Sequence, residues 1–413
     1  MKHSNTLLTL IAFTLLFVSC QDDGGEEPDD IIEIYPGPDA EQQIQTAFIE
    51  VEDGGTIRLF TGNYDITGTL TMDDKHGVTI QGQGGTLLNF ASQADGGEGI
   101  QISNSSDITI NSLEIRDTDG DALKVRETEI LVIDDVAVAW TGDPSSENGA
   151  YGIYPVLCYA VIVRNSAVRG ASDAGIYVGQ SQRAQVYNNT VRDNVSGIEI
   201  ENTIDADVFD NLVNNNTGGI LVFDLPIPGA QSGSGIRVFQ NNVADNNHDN
   251  FAPAGGIVSE VPPGTGILVM AAKAVEVFDN TVSENQIVGV AVFSYVSIAM
   301  LTGRTIPDDF NPYFDQIYIL NNEISRSGSP NPNQTGMGLF LLNEFGESPM
   351  PDMMTDGIFS SEAGDNGGLC IQENSTEYFI NLDLGNPDPS PSLDLNSHNC
   401  SFERLPQVEV VGE

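Results

Sequence analysis

The chain has few basic residues. It contains 15 Lys and Arg against 60 Asp and Glu, which gives a formal net charge of −45. A surface with this charge cannot neutralise a phosphate backbone, so the composition excludes general nucleic-acid binding. It also argues against docking on anionic lipid through basic patches.

Histidine, cysteine and tryptophan are scarce as well. The 4 His are scattered, and the sequence contains no CxxC pair, no HExxH motif and no Walker A loop. A zinc site and a phosphate-binding P-loop are therefore not indicated. The single Trp, the 43 Gly and a hydrophobic content of 40 % are instead typical of a turn-dense β protein with a large core.

The N-terminal segment predicts export. An apolar run over residues 7–18 is too short to span a membrane and ends in FVSC at Cys20. Residues 1–19 resemble a lipoprotein signal peptide, which would leave a lipidated Cys20 as the first residue. An ordinary secretory peptide with an incidental Cys is the alternative. The acidic run QDDGGEEPDD follows, and residues 20–33 are predicted to be a solvated tether.

The acidic tether bears on location. An acidic stretch directly after a lipid-bearing cysteine resembles the export tag of some Gram-negative surface lipoproteins. We therefore expect an outer-membrane lipoprotein exposed at the cell surface and held to the membrane by its lipid alone. A spacer from the inner leaflet of the outer membrane is the alternative.

Three cysteines follow Cys20. Cys158 lies in the apolar run VLCYAVIV and is interpreted as a core residue. Cys370 and Cys400 flank a polar, Pro-containing segment. In an oxidising compartment we expect them to form one disulfide, which would contribute about 3–4 kcal/mol to stability.

The middle of the chain repeats with a period of about 22 residues. Each unit opens with Gly and alternating apolar residues, as in GIYVG, and adds two short strands such as AQVYNN and TVRDN. Three period-2 strands per unit predict an all-β fold, the right-handed parallel β-helix. Its inward Ile and Val become buried only when coils stack about 4.8 Å apart. The units open at Gly99, Asp121, Gly152, Gly175, Gly197, Gly219, Gly266, Gly289 and Gly338.

Asparagine recurs at one turn position of the repeat. Asn tolerates the left-handed conformation, and stacked amides can hydrogen-bond along the rod. These residues are predicted to be structural: Asn111, Asn189, Asn211, Asn242, Asn280 and Asn322.

The solenoid is predicted to extend over residues 34–345. A helix over residues 41–54 is expected to cap its first coil, because an uncapped coil exposes a sticky edge. The apolar face of this helix consists of Ile44, Phe48 and Ile49. Residues 346–413, where the repeat dissolves, are expected to form a C-terminal cap that contains the disulfide.

Several stretches carry a resemblance to a known family. NGAYGIYPVLC, GASDAGIYVGQS, GIEIENT, GGILVFDLP and VPPGTGILV, with the lipobox and the NN-containing coils, resemble parallel β-helix repeat-containing surface lipoproteins. This family lies within the wider pectate-lyase-like class. The resemblance covers about residues 40–345 and implies the fold and a surface location. The wider class includes lyases, glycoside hydrolases and epimerases acting on polysaccharides, and also plain adhesins, so the fold does not fix the function.

The outer face of the Gly-initiated strands changes character along the rod. In Gly-Ile-x-Val the apolar residues point inward, so x and the residue two further on point outward. The first outward row is Gln101, Lys124, Tyr154, Tyr177, Glu199, Leu221, Leu268, Ala291 and Phe340. The second is Ser103, Arg126, Val156, Gly179, Glu201, Phe223, Met270, Phe293 and Leu342. The N-terminal half is polar, and the C-terminal half is almost wholly apolar.

Three insertions follow these strands. An apolar strip of this length is unfavourable in water, so residues 224–235, 248–265 and 294–315 are predicted to fold over it as lids. The polar half would then remain as an open groove. Lining a substrate cleft is the additional functional interpretation of the insertions.

The polar half is typical of a polysaccharide-processing groove, which needs acid–base groups, charge stabilisation and a stacking surface. The candidate catalytic residues are Glu199, Glu201 and Lys124. The candidate substrate-binding residues are Tyr154, Tyr177, Arg126 and Asp224. The two tyrosines would form a flat platform for sugar rings on coils about 5 Å apart. A solvated, ion-paired sheet face is the alternative.

Calcium is the one cofactor that the sequence suggests. DTDGDA places Asp117, Asp119 and Asp121 at alternating positions, as at the start of a calcium loop. Ala122 stands where an EF-hand needs Gly, so the EF-hand pattern is not met and only carboxylate binding of Ca²⁺ stays open. Asp119, like Asp173, precedes a strand and is interpreted as a turn residue.

Two classes of function follow from the sequence. The first is a surface enzyme that binds and cleaves or modifies an extracellular polysaccharide. The second is a non-catalytic scaffold or adhesin-like protein that presents its rod face to a glycan or to a partner lipoprotein.

Overall fold

The computed structural model describes residue 1 and residues 30–326, 328–345, 350–376 and 378–410. Residues 2–29 lie outside this range, and with them Cys20, most of the expected signal peptide and most of the expected tether. No helix within the described ranges is long and apolar enough to cross a membrane.

The protein is a right-handed parallel β-solenoid of about 13 turns over its described residues. Its strands form two sheets of 11 and 20 strands within these ranges, here called the front sheet and the back sheet. All pairings between the named strands are parallel, as the repeat predicts. The fold class inferred from the sequence is therefore confirmed.

The front sheet consists of the Gly-initiated strands. They are Gly68–Asp73, Asp95–Ser103, Leu123–Arg126, Tyr151–Val156, Ala174–Gly179, Ser196–Glu201, Gly218–Phe223, Thr265–Met270, Val288–Phe293, Met353–Thr355 and Phe379–Asn381.

The back sheet contains the second and third strands of each coil. Two long strands, Ser106–Arg116 and Glu129–Ala139, pass round the corner and join both sets into one sheet. The second strands are Ile31–Ile34, Thr56–Leu59, Thr79–Gly82, Tyr159–Arg164, Gln182–Tyr187, Ile204–Phe209, Ser234–Phe239, Lys273–Phe278, Asp315–Leu320 and Leu369–Gln372. The third strands are Gly62–Asp65, Thr86–Asn89, Ala167–Arg169, Thr190–Arg192, Leu212–Asn214, Asn242–Ala244, Thr281–Ser283 and Glu323–Ser325.

The helices are Ala40–Glu50, Tyr295–Thr302 and Gly336–Phe345, with 3₁₀ turns at Val258–Glu260 and Asn396–His398. The first helix caps the front sheet beside its first strand, as expected. The Gln45 side chain exchanges two hydrogen bonds with the backbone of Thr71, and Glu41 accepts from the backbone N–H of Gly68. These contacts satisfy an edge that would otherwise template pairing with another chain. Ile44 and Phe48 are buried, but Ile49 is 65 % exposed, so its assignment to the apolar face was wrong.

The boundaries of the solenoid differ from the expected ones. A strand already forms at Ile31–Ile34 and pairs with Thr56–Leu59, so the coils begin inside the expected tether. At the other end, Met353–Thr355 and Phe379–Asn381 continue the front sheet into the expected C-terminal cap. Short apolar runs in both places carried too little repeat signal to be recognised.

The segment at Gly338 is a helix and not a front-sheet strand. Met337 and Leu341 are spaced at i, i+4 and are both buried, whereas Phe340 and Leu342 do not continue the outward rows. Met354 takes the place next to Ala291 instead. The run GLFLL fits a period of 2 and a period of 3.6 equally, and packing against the rod selects the helix.

Asparagine side chains form two ladders along the rod. In the first, each amide donates to the side-chain oxygen of the next Asn, at 2.9–3.0 Å. Its members are Asn189, Asn211, Asn241, Asn280, Asn322 and Asn374. The ladder position predicted for Asn242 is therefore taken by the adjacent Asn241. Asn111, which was also predicted, is not a member of the ladder. A second ladder joins Asn194, Asn216, Asn246 and Asn285.

The C-terminal segment runs back along the rod after the disulfide. Cys370 and Cys400 are bridged, and Cys158 is a buried free thiol. Beyond the bridge, Arg404 Nε and Leu405 N donate to Glu276 Oε1, both at 2.9 Å. Val408 N donates to Asp207 Oδ2 at 3.2 Å. Residues 401–410, here called the C-terminal strap, therefore lie over the outer face of the back sheet.

The inward and outward positions of one short strand test the register. Val213 is fully buried and the preceding Leu212 is 41 % exposed. Val213→Asp places an unpaired carboxylate in the core and should lower the free energy of unfolding by about 4 kcal/mol or more, whereas Leu212→Asp should change it by less than about 1 kcal/mol. Urea unfolding followed by circular dichroism measures both. Equal midpoints for the two variants would contradict this register.

Candidate functional site

The outer face of the front sheet carries the residues singled out from the sequence. Parallel pairing aligns Lys124 with Tyr154, Tyr177 with Glu199, and Glu199 with Leu221. The inward neighbours Ile153, Ile176 and Ile198 are fully buried in the core. These side chains therefore project from one face in the order that the alternation predicts.

Ten side chains on this face form what we call the polar cluster. It consists of Glu98, Asp121, Lys124, Tyr151, Tyr154, Asp173, Tyr177, Gln180, Glu199 and Glu201. The structure thus brings together five predicted site residues and adds five that the sequence did not assign.

Lys124 is bound on both sides by carboxylates. Its ammonium lies 3.0 Å from Asp121 Oδ2 and 3.4 Å from Glu98 Oε1. Burial opposes its charge, but the hydrogen bond that Lys124 donates to Asp121 and the neighbouring negative charges outweigh burial and raise the pKa of Lys124. Lys124 therefore stays protonated and cannot serve as a base near neutral pH.

The tyrosines pack against one another and do not form a flat platform. The rings of Tyr154 and Tyr177 lie 5.0 Å apart at an interplanar angle of 81°. The ring of Tyr151, a residue outside the two predicted outward rows, lies 4.3 Å from Tyr154 and 4.9 Å from Tyr177. Edge-to-face packing is favourable for aromatic rings, but it leaves only part of Tyr154 and Tyr151 exposed. Tyr177 is 4 % exposed.

Glu199 and Glu201 are buried carboxyls. Glu201 Oε1 accepts a hydrogen bond from Tyr177 Oη at 2.7 Å and from Gln180 Nε2 at 3.1 Å. Glu199 is 1 % exposed, and its Oε2 has no hydrogen-bond partner among the described residues. Burial, followed by the charges of Asp173 and Glu201, raises the pKa of Glu199 well above its usual range. Burial also raises the pKa of Glu201, which the hydrogen bonds from Tyr177 and Glu199 partly offset.

Asp173 is the titratable carboxyl at the half-buried edge of the cluster. Its Oδ2 accepts from Tyr151 Oη at 3.3 Å. Burial and the charge of Glu201 raise the pKa of Asp173 to about 7. The interpretation of Asp173 as a turn residue was incomplete, because its side chain faces the cluster.

Asp121, Tyr151 and Asp173 were not recognised as cluster residues for one geometric reason. Each lies at the corner where the chain enters a front-sheet strand. Inward and outward side chains do not alternate strictly at such corners. Counting the outward positions from the residue that opens each unit therefore omits these three side chains. A search for polar side chains two or three residues before the first inward residue of each strand (Leu123, Ile153 and Ile176) would have found them.

Arg126 and Asp224 make their hydrogen bonds outside the cluster, although the charge of Asp224 contributes to the raised pKa of Glu201. Arg126 is paired with Glu127 at 2.7 Å and is 43 % exposed in its side chain. Asp224 Oδ1 accepts from Asn202 Nδ2 at 2.6 Å and from Gly233 N at 3.2 Å. Burial raises the pKa of Asp224 to about 6. Its contacts anchor the base of the first insertion.

The side chains of the suggested calcium loop do not converge. Asp117 accepts hydrogen bonds from Thr141, at 2.7 Å from the backbone nitrogen, while Asp121 faces Lys124. Among the residues that the structure describes, no group of three His, Cys, Asp or Glu side chains is arranged to hold a metal ion.

The apolar half of the face is covered, as expected. A second hydrophobic cluster combines outward residues such as Leu221 and Met270 with Val261 of the second insertion, Ile298 of the third and Leu341 of the last helix. The first insertion differs, because only its residue Leu225 packs against this hydrophobic cluster. Its Gln231 side chain instead donates a hydrogen bond to the backbone oxygen of Ser181 at a corner of the coil. The polar cluster thus lies where this cover ends, one coil before Leu221.

Comparisons with known proteins agree with the β-helix fold of the chain. Residues 145–306 match the family described as right handed beta helix region. The chain therefore has the right-handed parallel β-helix fold, built from repeated coils. A search of curated proteins gave no match.

Several solved structures share the fold at low identity. Polygalacturonase from Erwinia carotovora ssp. carotovora is 11 % identical, with a TM-score of 0.50, over 74 % of this chain and 95 % of that one. A mannuronan C-5 epimerase A-module of Azotobacter vinelandii is 14 % identical, with a TM-score of 0.45, over 79 % and 91 %. DFA-IIIase from Arthrobacter chlorophenolicus A6, in complex with GF2, is 10 % identical, with a TM-score of 0.48, over 84 % and 94 %. At these identities the similarity concerns the fold.

The raised pKa values predict a pH-dependent stability. A carboxyl whose pKa is higher in the folded chain holds extra protons there, so the free energy of unfolding falls as pH rises through the interval between the two values. For Asp173 this interval runs from 3.8 to about 7. We expect a lower melting temperature at pH 8 than at pH 5, and Glu199→Gln and Asp173→Asn should each narrow the difference by several degrees.

Thermal melts at both pH values measure this effect. Glu129→Gln, at an exposed position of the back sheet, is the matched control and should leave the difference as in the wild type. Identical pH dependence in Glu199→Gln and the wild type would contradict the burial of this charge.

Proposed function

We propose that the chain binds an extracellular polysaccharide over the polar cluster and cleaves or modifies it by acid–base chemistry. The observation that carries this proposal is the group of three interacting carboxyls, Asp173, Glu199 and Glu201, beside tyrosines on a partly exposed sheet face. A protonated carboxyl next to an ionised one is the pair that glycosidic bond cleavage and sugar proton transfer require. The name of the polygalacturonase with this fold agrees with a polysaccharide ligand.

The burial of each carboxyl distinguishes its role. Asp173, half-buried with a pKa of about 7, is partly protonated at neutral pH and can give a proton to a leaving oxygen. Glu201 is oriented by Tyr177 and Gln180 and is the candidate base. Glu199 is too deeply buried to touch a polymer, so it is a positioning residue that shares a proton with Glu201.

The exposed side chains supply binding. Tyr154 offers a ring edge and a hydroxyl at the open side of the cluster, and Lys124 lies 5.2 Å from its ring centroid. A sugar that packs against Tyr154 would bring its ring oxygens close to Asp173. Asp224 and Arg126, predicted as binding residues, lie outside the cluster and receive no role in this proposal.

Variants of the reacting carboxyls test the proposal. Asp173→Asn and Glu201→Gln should lower turnover at least about 100-fold because each removes a proton donor or acceptor, while binding stays within a few-fold. Asp207→Asn is the matched control: it neutralises a buried carboxyl with a raised pKa, about 6, on the opposite sheet. It should keep turnover within twofold. Reducing-end and unsaturated-product assays on a polysaccharide panel measure these effects.

A second candidate function is a non-catalytic glycan-binding scaffold. The near-complete burial of Glu199 and Tyr177 favours it, since buried side chains serve packing as well as chemistry. Binding without turnover, weakened by Tyr154→Ala and unchanged by Asp173→Asn, would replace the enzyme with the scaffold.

We also propose that the mature protein is held at the outer membrane by a lipid on Cys20, with the rod outside the cell. The apolar run, FVSC and the acidic stretch that follows support this location. Cys20→Ser should move the protein from the membrane fraction to the soluble fraction, and protease added to intact cells should degrade the wild type. Cys158→Ser, which alters a buried thiol, should remain in the membrane fraction. Membrane retention of Cys20→Ser would contradict the anchor.

A further inference from the structure

The polar cluster has an unusual balance of charge for a site that would hold a sugar polymer. It contains five carboxyl side chains, from Glu98, Asp121, Asp173, Glu199 and Glu201. Within the described part of the cluster, Lys124 is the one cation. The position of that cation determines which class of polymer the site can accept.

An acidic polymer would find no unpaired cation within the polar cluster. Recognition of carboxylate or sulfate groups generally uses Arg or Lys side chains that are free to contact them. Lys124 is already held by Asp121 and Glu98, and Arg126 is paired with Glu127. The whole chain adds long-range repulsion, since its net charge is −45.

The position that an ammonium group of a polycationic polymer would take in the cluster is already occupied. The place where an ammonium could lie between Asp121 and Glu98, beside the face of Tyr154, is filled by the ammonium of Lys124. A sugar amine would have to displace the Lys124 side chain. Lys124 is favoured in this competition, because it is covalently attached to the strand and loses no translational entropy on binding, whereas the sugar does.

The remaining groups suit hydroxyls. Tyr154 and Tyr151 are partly exposed residues with polar hydroxyl groups, and the oxygens of Asp173 and Glu98 can accept hydrogen bonds. Such donors and acceptors pair with the hydroxyl groups of a sugar without any compensating charge.

We propose that the polar cluster takes an uncharged polysaccharide, whose sugars carry no carboxylate, sulfate or ammonium group. This inference rests on the proposed function, because it names the substrate class of the same site.

Matched polymers test the inference. Binding of the full chain is measured by affinity electrophoresis and calorimetry on xylan, galactan, mannan and β-glucan, on polygalacturonate and chitosan, and on the carboxymethylated form of each neutral polymer that binds. At low salt, carboxymethylation should weaken binding at least tenfold. Raising NaCl from about 0.02 to 0.5 M should narrow this gap, because salt screens the repulsion.

Freeing the cation should relax the selectivity. The double variant Glu98→Gln, Asp121→Asn leaves Lys124 without its two anionic partners and should improve binding of the carboxymethylated polymer at least fivefold relative to the neutral one. The double variant Glu114→Gln, Glu129→Gln removes two negative charges from the back sheet, and it is the control for net charge alone. It should leave the selectivity as in the wild type.

The outcomes separate this inference from the proposed function. If the wild type binds polygalacturonate or a carboxymethylated polymer as tightly as the neutral form, the inference is overturned while the proposed function stands. Preferred binding of chitosan at high salt would overturn it as well. Binding to none of these polymers, neutral or charged, would overturn the proposed function and this inference with it.

Discussion

Stacking each coil directly on the one before is the constraint on which the rest of this structure depends. A parallel coil buries its inward Ile and Val only if the next coil repeats its register, and a slip of one residue would turn every side chain to the wrong face. The same register aligns outward residues whatever their charge. Tyr177, Glu199 and Leu221 are therefore neighbours because Ile176, Ile198 and Ile220 are. The register of the core thus brings together the carboxyls whose mutual charges raise their pKa values.

The cover over the apolar half gives the cluster its environment. The second insertion, the third insertion and the last helix exclude water from the face up to Leu221. Glu199 lies beside that boundary and loses most of its hydration, whereas Asp173 lies two coil positions away from it and keeps part of its own. The gradient in hydration from Glu199 to Asp173 separates a buried carboxyl from an accessible one within a single face.

The sequence was sufficient for the features that the repeat encodes. Gly-Ile-x-Val determined the front sheet and its outward rows, and the two cysteines outside the repeat indicated the disulfide. It was insufficient where two periods or two partners compete. The run at Gly338 fits helix and strand equally, and adjacent asparagines left Asn241 and Asn242 indistinguishable. Lys124 pairs with Glu98 of the preceding coil and with Asp121 at the corner before its own strand. No local sequence pattern shows that these carboxylates already neutralise its charge.

The C-terminal strap changes how the rod can come apart. In a solenoid each coil contacts only its neighbours, so coils can fray one at a time from an open end. Here the C-terminal strap returns to the middle of the rod. Val408 N donates a hydrogen bond to Asp207 there, and Arg404 Nε donates one to Glu276. Loss of the terminal coils must therefore break contacts far from that end. The outer face of the middle coils is therefore completed by residues from the far end of the described chain.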